Sequence, residues 1–265
     1  MSGRGQLLPP DLTLVFGADG WVVLPRTAID DPGVPPNGSP ISAPTPGWRG
    51  IPTCRQVEGT QPVSTPAATL APDTRGTDVN ENHKQCGSDE WRAVVRDSIL
   101  PWAIGDLDLG DDVLEIGPGY GATTDVLSQS APRLTAVEID QQLAAMLQTR
   151  FADNDRILIM TGDATALEFP EGRFSGAASF TMLHHVPTAA LQERLLAEVS
   201  RVLQSGGVFV LGDSLASPEL EAHHEGDTYN PVDPAALAGR LEAVGFSEVE
   251  VKTNPFGWAA SARKP

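Results

Sequence analysis

Val113-Leu114-Glu115-Ile116-Gly117-Pro118-Gly119-Tyr120-Gly121 is an apolar run that breaks into three glycines just before a helical pattern opens at Ala122. A strand that ends in such a loop lets a ligand approach main-chain N–H groups without a Cβ in the way. Taken alone, the motif also fits a plain tight turn. The next strand-like run, Leu134–Glu138, ends on a carboxylate about twenty residues after the loop, where an acid can accept hydrogen bonds from both hydroxyls of a ribose. Loop and acid together specify an adenosine ligand.

Outward from this pair, strand and helix patterns alternate. Trp91, Val94, Val95 and Ile99 share one helical face before Pro101. Asp140 stands as an N-cap before the stripe Leu143, Met146, Leu147 and Phe151. Strands are predicted at 157–160 and 176–180. The stripe Leu191, Leu195, Val199 and Val202 then makes a helix that Gly206 and Gly207 turn into a strand over 208–211. Asp233 caps a helix with Pro234 in its first position, and Gly245 ends it. Two last strands fall at 248–252 and 258–263. Such alternation predicts a doubly wound α/β fold with a mostly parallel sheet, helices on both faces and ligands beyond the carboxyl ends of the strands.

The composition changes near residue 79. Of the 23 prolines, 13 lie in the first 78 residues. Proline donates no backbone hydrogen bond and interrupts helix and sheet alike. Residues 1–78 are therefore expected to form a disordered leader carrying one hairpin, from 12–16 and 21–24, and 79–265 to form the functional domain. An alternative reading leaves the leader out of the native product, with translation starting at Val79.

The formal net charge is -17 and the pI about 4.5. Because nucleic-acid affinity comes mainly from Lys and Arg on phosphates, nucleic acid is disfavoured as a partner and a small-molecule substrate is expected. Cys54 and Cys86 form no paired metal or redox spacing. His83 with Cys86 makes half a metal site without evident companions, so no metal is assigned. There is no apolar run of membrane-spanning length and no signal-peptide pattern, which implies a cytoplasmic protein without membrane contact. Nothing in the sequence sets an oligomeric state.

Gly117, Gly119 and Ala122 also satisfy a dinucleotide fingerprint, which leaves an NAD(P)-binding oxidoreductase and a silent adenosine-binding module as alternatives. Downstream residues separate them. Glu115, Gly117, Gly119 and Gly121 resemble the E-x-G-x-G-x-G loop of the class I S-adenosylmethionine-dependent methyltransferases. The resemblance continues through Gly162-Asp163-Ala164, through Phe180 to Val186, and through Arg201-Val202-Leu203, Gly206-Gly207 and Asp213. It implies a Rossmann-like seven-stranded sheet with an antiparallel last strand. The implied cofactor is S-adenosylmethionine, held by Glu115, Gly117, Gly119, Gly121, Glu138, Ile139, Asp163, Ala164 and Thr181. His184 and His185 are the candidate bases beside the methyl group, weighed against a reaction carried by positioning alone. Glu115, Glu138 and Ile139 also resemble the adenine dimethylases of ribosomal RNA. Those enzymes need an N-P-P-Y-like tetrapeptide where this chain reads Phe180-Thr181-Met182-Leu183, and Asn254-Pro255-Phe256 imitates it on the wrong element. The resemblance further suggests a lid made by Asn82, His83 and Trp91, whereas His223 and His224 are expected at the surface.

Overall fold

The computed structural model describes residues 81–265, together with the backbone of two strands nearer the start, β1 (Leu12–Gly17) and β2 (Gly20–Pro25). These pair antiparallel, Gly17 opposite Gly20, in keeping with the hairpin expected at 12–16 and 21–24. The expectation of disorder for the rest of 1–78, and the start at Val79, lie outside the described residues.

Seven strands form the main sheet: β3 (Asp112–Ile116), β4 (Arg133–Glu138), β5 (Ile157–Thr161), β6 (Phe174–Phe180), β7 (Leu203–Ser214), β8 (Ser247–Thr253) and β9 (Gly257–Arg263). Their order is β5-β4-β3-β6-β7-β9-β8. The pairs from β5 through β7 are parallel, and β9 runs antiparallel to both β7 and β8. The chain order reverses at β3, whose neighbours are β4 on one side and β6 on the other. That is the switch point where a doubly wound sheet opens a crevice beyond its strand ends.

Each central strand is buried on both faces, which is why the sequence shows apolar runs instead of strict alternation. On one face Leu114, Ile116, Phe209 and Leu211 pack with Leu195, Leu196 and Val199 of α5 (Ala189–Val202) and Leu237 and Leu241 of α7 (Pro234–Ala243). On the other, Val113, Val208 and Val210 pack with Leu127 of α3 (Ala122–Ser130), Val95 and Leu100. Truncating a fully buried Leu in such a core costs about 2–5 kcal/mol.

The helix ends follow the chemistry of their caps. Asp140 accepts from the N–H groups of Gln142 and Leu143 at the start of α4 (Gln141–Arg150). Asp233 accepts from Ala235 N–H, with Pro234 next in line. The first helical region, whose apolar face lies before Pro101, runs past that proline. A π-helical turn (Val95–Ile99) joins α1 (Asp89–Val94) to α2 (Leu100–Ile104). Pro101 falls at the start of α2, where its missing N–H costs least. A short α6 (Pro218–His223) follows β7. Among the described residues no helix is long and apolar enough to cross a membrane.

Candidate active site

The carboxyl ends of β3, β4, β6 and β7 bring together the residues singled out from the sequence. After β3, Gly117, Gly119 and Gly121 all take positive φ, at 65°, 53° and 80°, so the loop coils tightly into the first turn of α3. At Gly117 a Cβ would collide with the Met182 side chain, which fixes the loop against the turn after β6. At Gly119 a Cβ would meet nothing within 4 Å. The space above Gly119 is open.

Two arginines hold the loop from outside. Arg92 of α1 and Arg150 of α4 both donate to the Tyr120 carbonyl, at 3.1 and 3.2 Å, and both pair with Asp125 of α3.

Glu138 is buried at the end of β4, and its carboxylate accepts Gly119 N–H at 2.8 Å and Asp140 N–H at 3.0 Å. One side chain thus ties the glycine loop to the cap of α4, a linkage the sequence reading did not foresee. Each carboxylate oxygen has a second lone pair available for a ribose hydroxyl. Burial raises the Glu138 pKa, while the backbone donors pull it down. Ile139 follows with half of its surface exposed, an apolar face fit for a base to stack on.

Glu115 lies within β3, fully enclosed, and burial pushes its pKa up to about 8. It is therefore a neutral acid near pH 7, beneath the loop and close to Thr124 and Glu138. Asp163, exposed after β5, uses one oxygen to accept Thr165 N–H at 2.8 Å, and Ala164 is packed against the core. Thr181, the residue after β6, has φ at 51°, a strained conformation for a β-branched residue, and donates its N–H to Gly212 O at 2.9 Å.

The histidines are arranged in a way the sequence did not reveal. All five in the chain, His83, His184, His185, His223 and His224, are gathered beside the β6 turn, with neighbouring ring centroids 4.2–5.4 Å apart. His184 Nδ1–H donates to Asp213 Oδ1 of β7 at 2.7 Å, and its backbone N–H donates to Oδ2 at 3.1 Å. Its Nε2 lies 3.0 Å from His224 Nε2. Burial, then the neighbouring imidazoles, push His185 down to about 2. His224 is buried, not at the surface as expected, and stacks on Tyr229. The 3₁₀ segment Glu81–Gly87 covers this corner: Asn82 donates to His223 O at 2.9 Å, and Gly87 lies close against the Tyr120 ring.

A family model described as "Methyltransferase domain" matches residues 114–211, which run from β3 into β7 and include the glycine loop, Glu138 and the β6 turn. Over these residues the chain resembles a methyltransferase domain. Solved structures agree on the fold of this domain. A S-adenosylmethionine-dependent methyltransferase of Methanosarcina mazei superposes with TM-score 0.50 at 18% identity, covering 60% of this chain and 94% of that one. Phosphoethanolamine N-methyltransferase 2 of Haemonchus contortus, solved with S-adenosyl-L-methionine, gives 0.56 at 15% identity over 71% of this chain and 60% of that one.

Curated relatives of the methyltransferase domain include ribosomal RNA small subunit methyltransferase A from Synechococcus sp. (strain WH7803). It is 40% identical over 99 residues, 36% of this chain and 35% of that protein. The protein of the same name from Syntrophotalea carbinolica is 47% identical over 68 residues, 26% of this chain and 25% of that protein. The chain spans about a third or less of the length of these relatives. They correct the expectation of a small-molecule substrate with nucleic acid disfavoured. The net charge of -17 is summed over the whole chain. Phosphate contacts are decided by the local surface around the site, which such a sum does not describe.

Proposed function

We propose that this chain transfers a methyl group from S-adenosylmethionine to a nucleophile presented at the crevice beyond β3 and β6. The observation that carries the reading is the loop–acid pair: Gly119 leaves open space, Glu138 is anchored beneath it, and exposed Ile139 lies beside it. These residues fit the cofactor's adenosine, with Glu138 facing the ribose and Ile139 the base. When bound, the cofactor supplies an electrophilic sulfonium methyl.

What the chain contributes is position. Neither candidate base is disposed to take a proton from an acceptor. Burial weakens His185 as a base, and His184 is held through Nδ1 by Asp213 with its Nε2 facing His224 at 3.0 Å. We assign both histidines to shaping the turn that bounds the crevice. Correct placement of two reactants supplies roughly 7–11 kcal/mol in favourable cases, against about 3–5 for a general base. The relatives that modify ribosomal RNA support nucleic acid as the acceptor class to test first. Purified full chain with labelled S-adenosylmethionine and small-subunit ribosomal RNA is expected to yield labelled RNA. Binding of the cofactor with no transfer to RNA, protein or metabolite extracts would leave a binding module instead of an enzyme.

A further inference from the structure

We propose that His83, His185 and His224 form a site for a divalent transition-metal ion of the zinc class, which clasps residues 81–87 and the segment after β7 to the turn after β6. One nitrogen from each ring lies within 4.8 Å of the others, and the rings are buried or half-buried. The three come from sequence positions far apart, so only the fold assembles them.

The hydrogen bonds around the cluster orient it. His224 Nδ1–H donates to Leu220 O at 2.6 Å, which leaves Nε2 as a lone pair. His184 Nδ1–H is likewise spent on Asp213, so its Nε2 is also a lone pair. These two nitrogens face each other across 3.0 Å, a contact that a shared proton or a metal ion drawing on either lone pair relieves. Zinc bonds imidazole nitrogen at about 2.0–2.1 Å, which places adjacent ligating nitrogens roughly 3–3.4 Å apart. The nitrogens of His83, His185 and His224, within 4.8 Å of one another, have only to draw together by rotation of their rings to reach that spacing.

Outer partners complete the pattern. The Leu220 carbonyl backs His224, and Asp227 Oδ2 lies 3.6 Å from His83 Nδ1, close enough to orient that ring. Imidazole ligates only when neutral, so binding of the ion competes with protonation of the cluster. An all-nitrogen set selects zinc, copper or nickel over magnesium or calcium. A cleft of about 510 Å³ lined in part by Pro218, Glu221, His224 and Asp227 gives the ion a route in from solvent.

The experiment is metal binding by the untagged full chain, independent of methyl transfer. After chelator treatment the protein is titrated with Zn²⁺, and with Co²⁺ for its visible spectrum, while hydrogen exchange is followed over residues 81–87 and 218–230. The expected result is one equivalent bound, a four-coordinate Co²⁺ spectrum and increased protection of both segments. His83→Gln, His185→Gln and His224→Gln each lose affinity beyond the roughly 10- to 100-fold that an outer partner such as Asp227→Asn costs. Cys86→Ser binds as the parent does. Failure of the parent chain to bind Zn²⁺ or Co²⁺ stoichiometrically, or equal affinity in folded variants of all three histidines, overturns the proposal. The parent's Co²⁺ spectrum decides even if a variant does not fold.

Discussion

Replacing Glu138 with alanine is expected to weaken S-adenosylmethionine binding and loosen the glycine loop at once, because one carboxylate serves both. Its two oxygens accept Gly119 N–H at 2.8 Å and Asp140 N–H at 3.0 Å in a buried setting. A hydrogen bond to a charged group contributes about 1.5–3 kcal/mol, and a buried donor left without an acceptor costs about 1–3. Removing the burial penalty on the charge offsets part of this, so a net stability loss of about 2 kcal/mol follows. For a domain of this size that lowers the melting temperature by roughly 4–8 °C. The ribose hydroxyls lose a partner worth about 1.5–3 kcal/mol, a fall in affinity of roughly 10- to 150-fold. Glu138→Gln keeps one acceptor and is expected to fall between the parent and the alanine variant on both measures. Calorimetric titration beside thermal unfolding separates the two effects. A folded Glu138→Ala protein that binds the cofactor as tightly as the parent would refute the assignment of the site.

Glu115 makes a pH prediction whose sign is opposite to that of a salt-bridged carboxylate. Its pKa rises from 4.5 unfolded to about 8 folded, so between those values the native state holds a proton that the unfolded chain has released. This contribution is fully present below pH 4.5 and is lost as pH rises toward 8. Glu115→Gln is expected to flatten the decline in denaturant midpoint between pH 5 and 8, and an unchanged slope would mean the acid is already ionised. For His184, replacement by glutamine should reduce turnover by less than the roughly 10²–10⁴ of a lost general base, with the acid limb of the pH–rate profile intact. Loss of that limb at saturating cofactor would restore His184 as the base.

The sheet was legible because its signals are local: apolar runs of strand length, glycine punctuation, and caps such as Asp140 and Asp233 that act within three residues. Ends were less so. The helical face read up to Ile99 gives no sign that, after a π-helical turn, the helical path continues past Pro101. The candidate cofactor residues stand out by spacing, but the bond from Gly119 to Glu138 does not, since it depends on β3 and β4 lying side by side. The histidine cluster was hidden for the same reason. His83, His184 and His224 carry no mutual spacing, and only the register that sets Asp213 beside the end of β6 brings them together. His83 with Cys86 was half a signal, and the completing ligands lay about a hundred residues away or more.

The most direct test of the account is calorimetric titration of the full chain with S-adenosylmethionine, set beside NAD⁺ and NADP⁺ and repeated on Gly119→Ala. At Gly119 the fold has room for a methyl group, but φ is 53° and the space belongs to the ligand. A left-handed alanine costs roughly 1–2 kcal/mol, so the variant should still fold. The account predicts one saturable S-adenosylmethionine site in the parent, displaced by S-adenosylhomocysteine, markedly weakened in folded Gly119→Ala, and no comparable binding of either dinucleotide. Tight binding of a dinucleotide with none of S-adenosylmethionine, or cofactor affinity unchanged in Gly119→Ala, would contradict it.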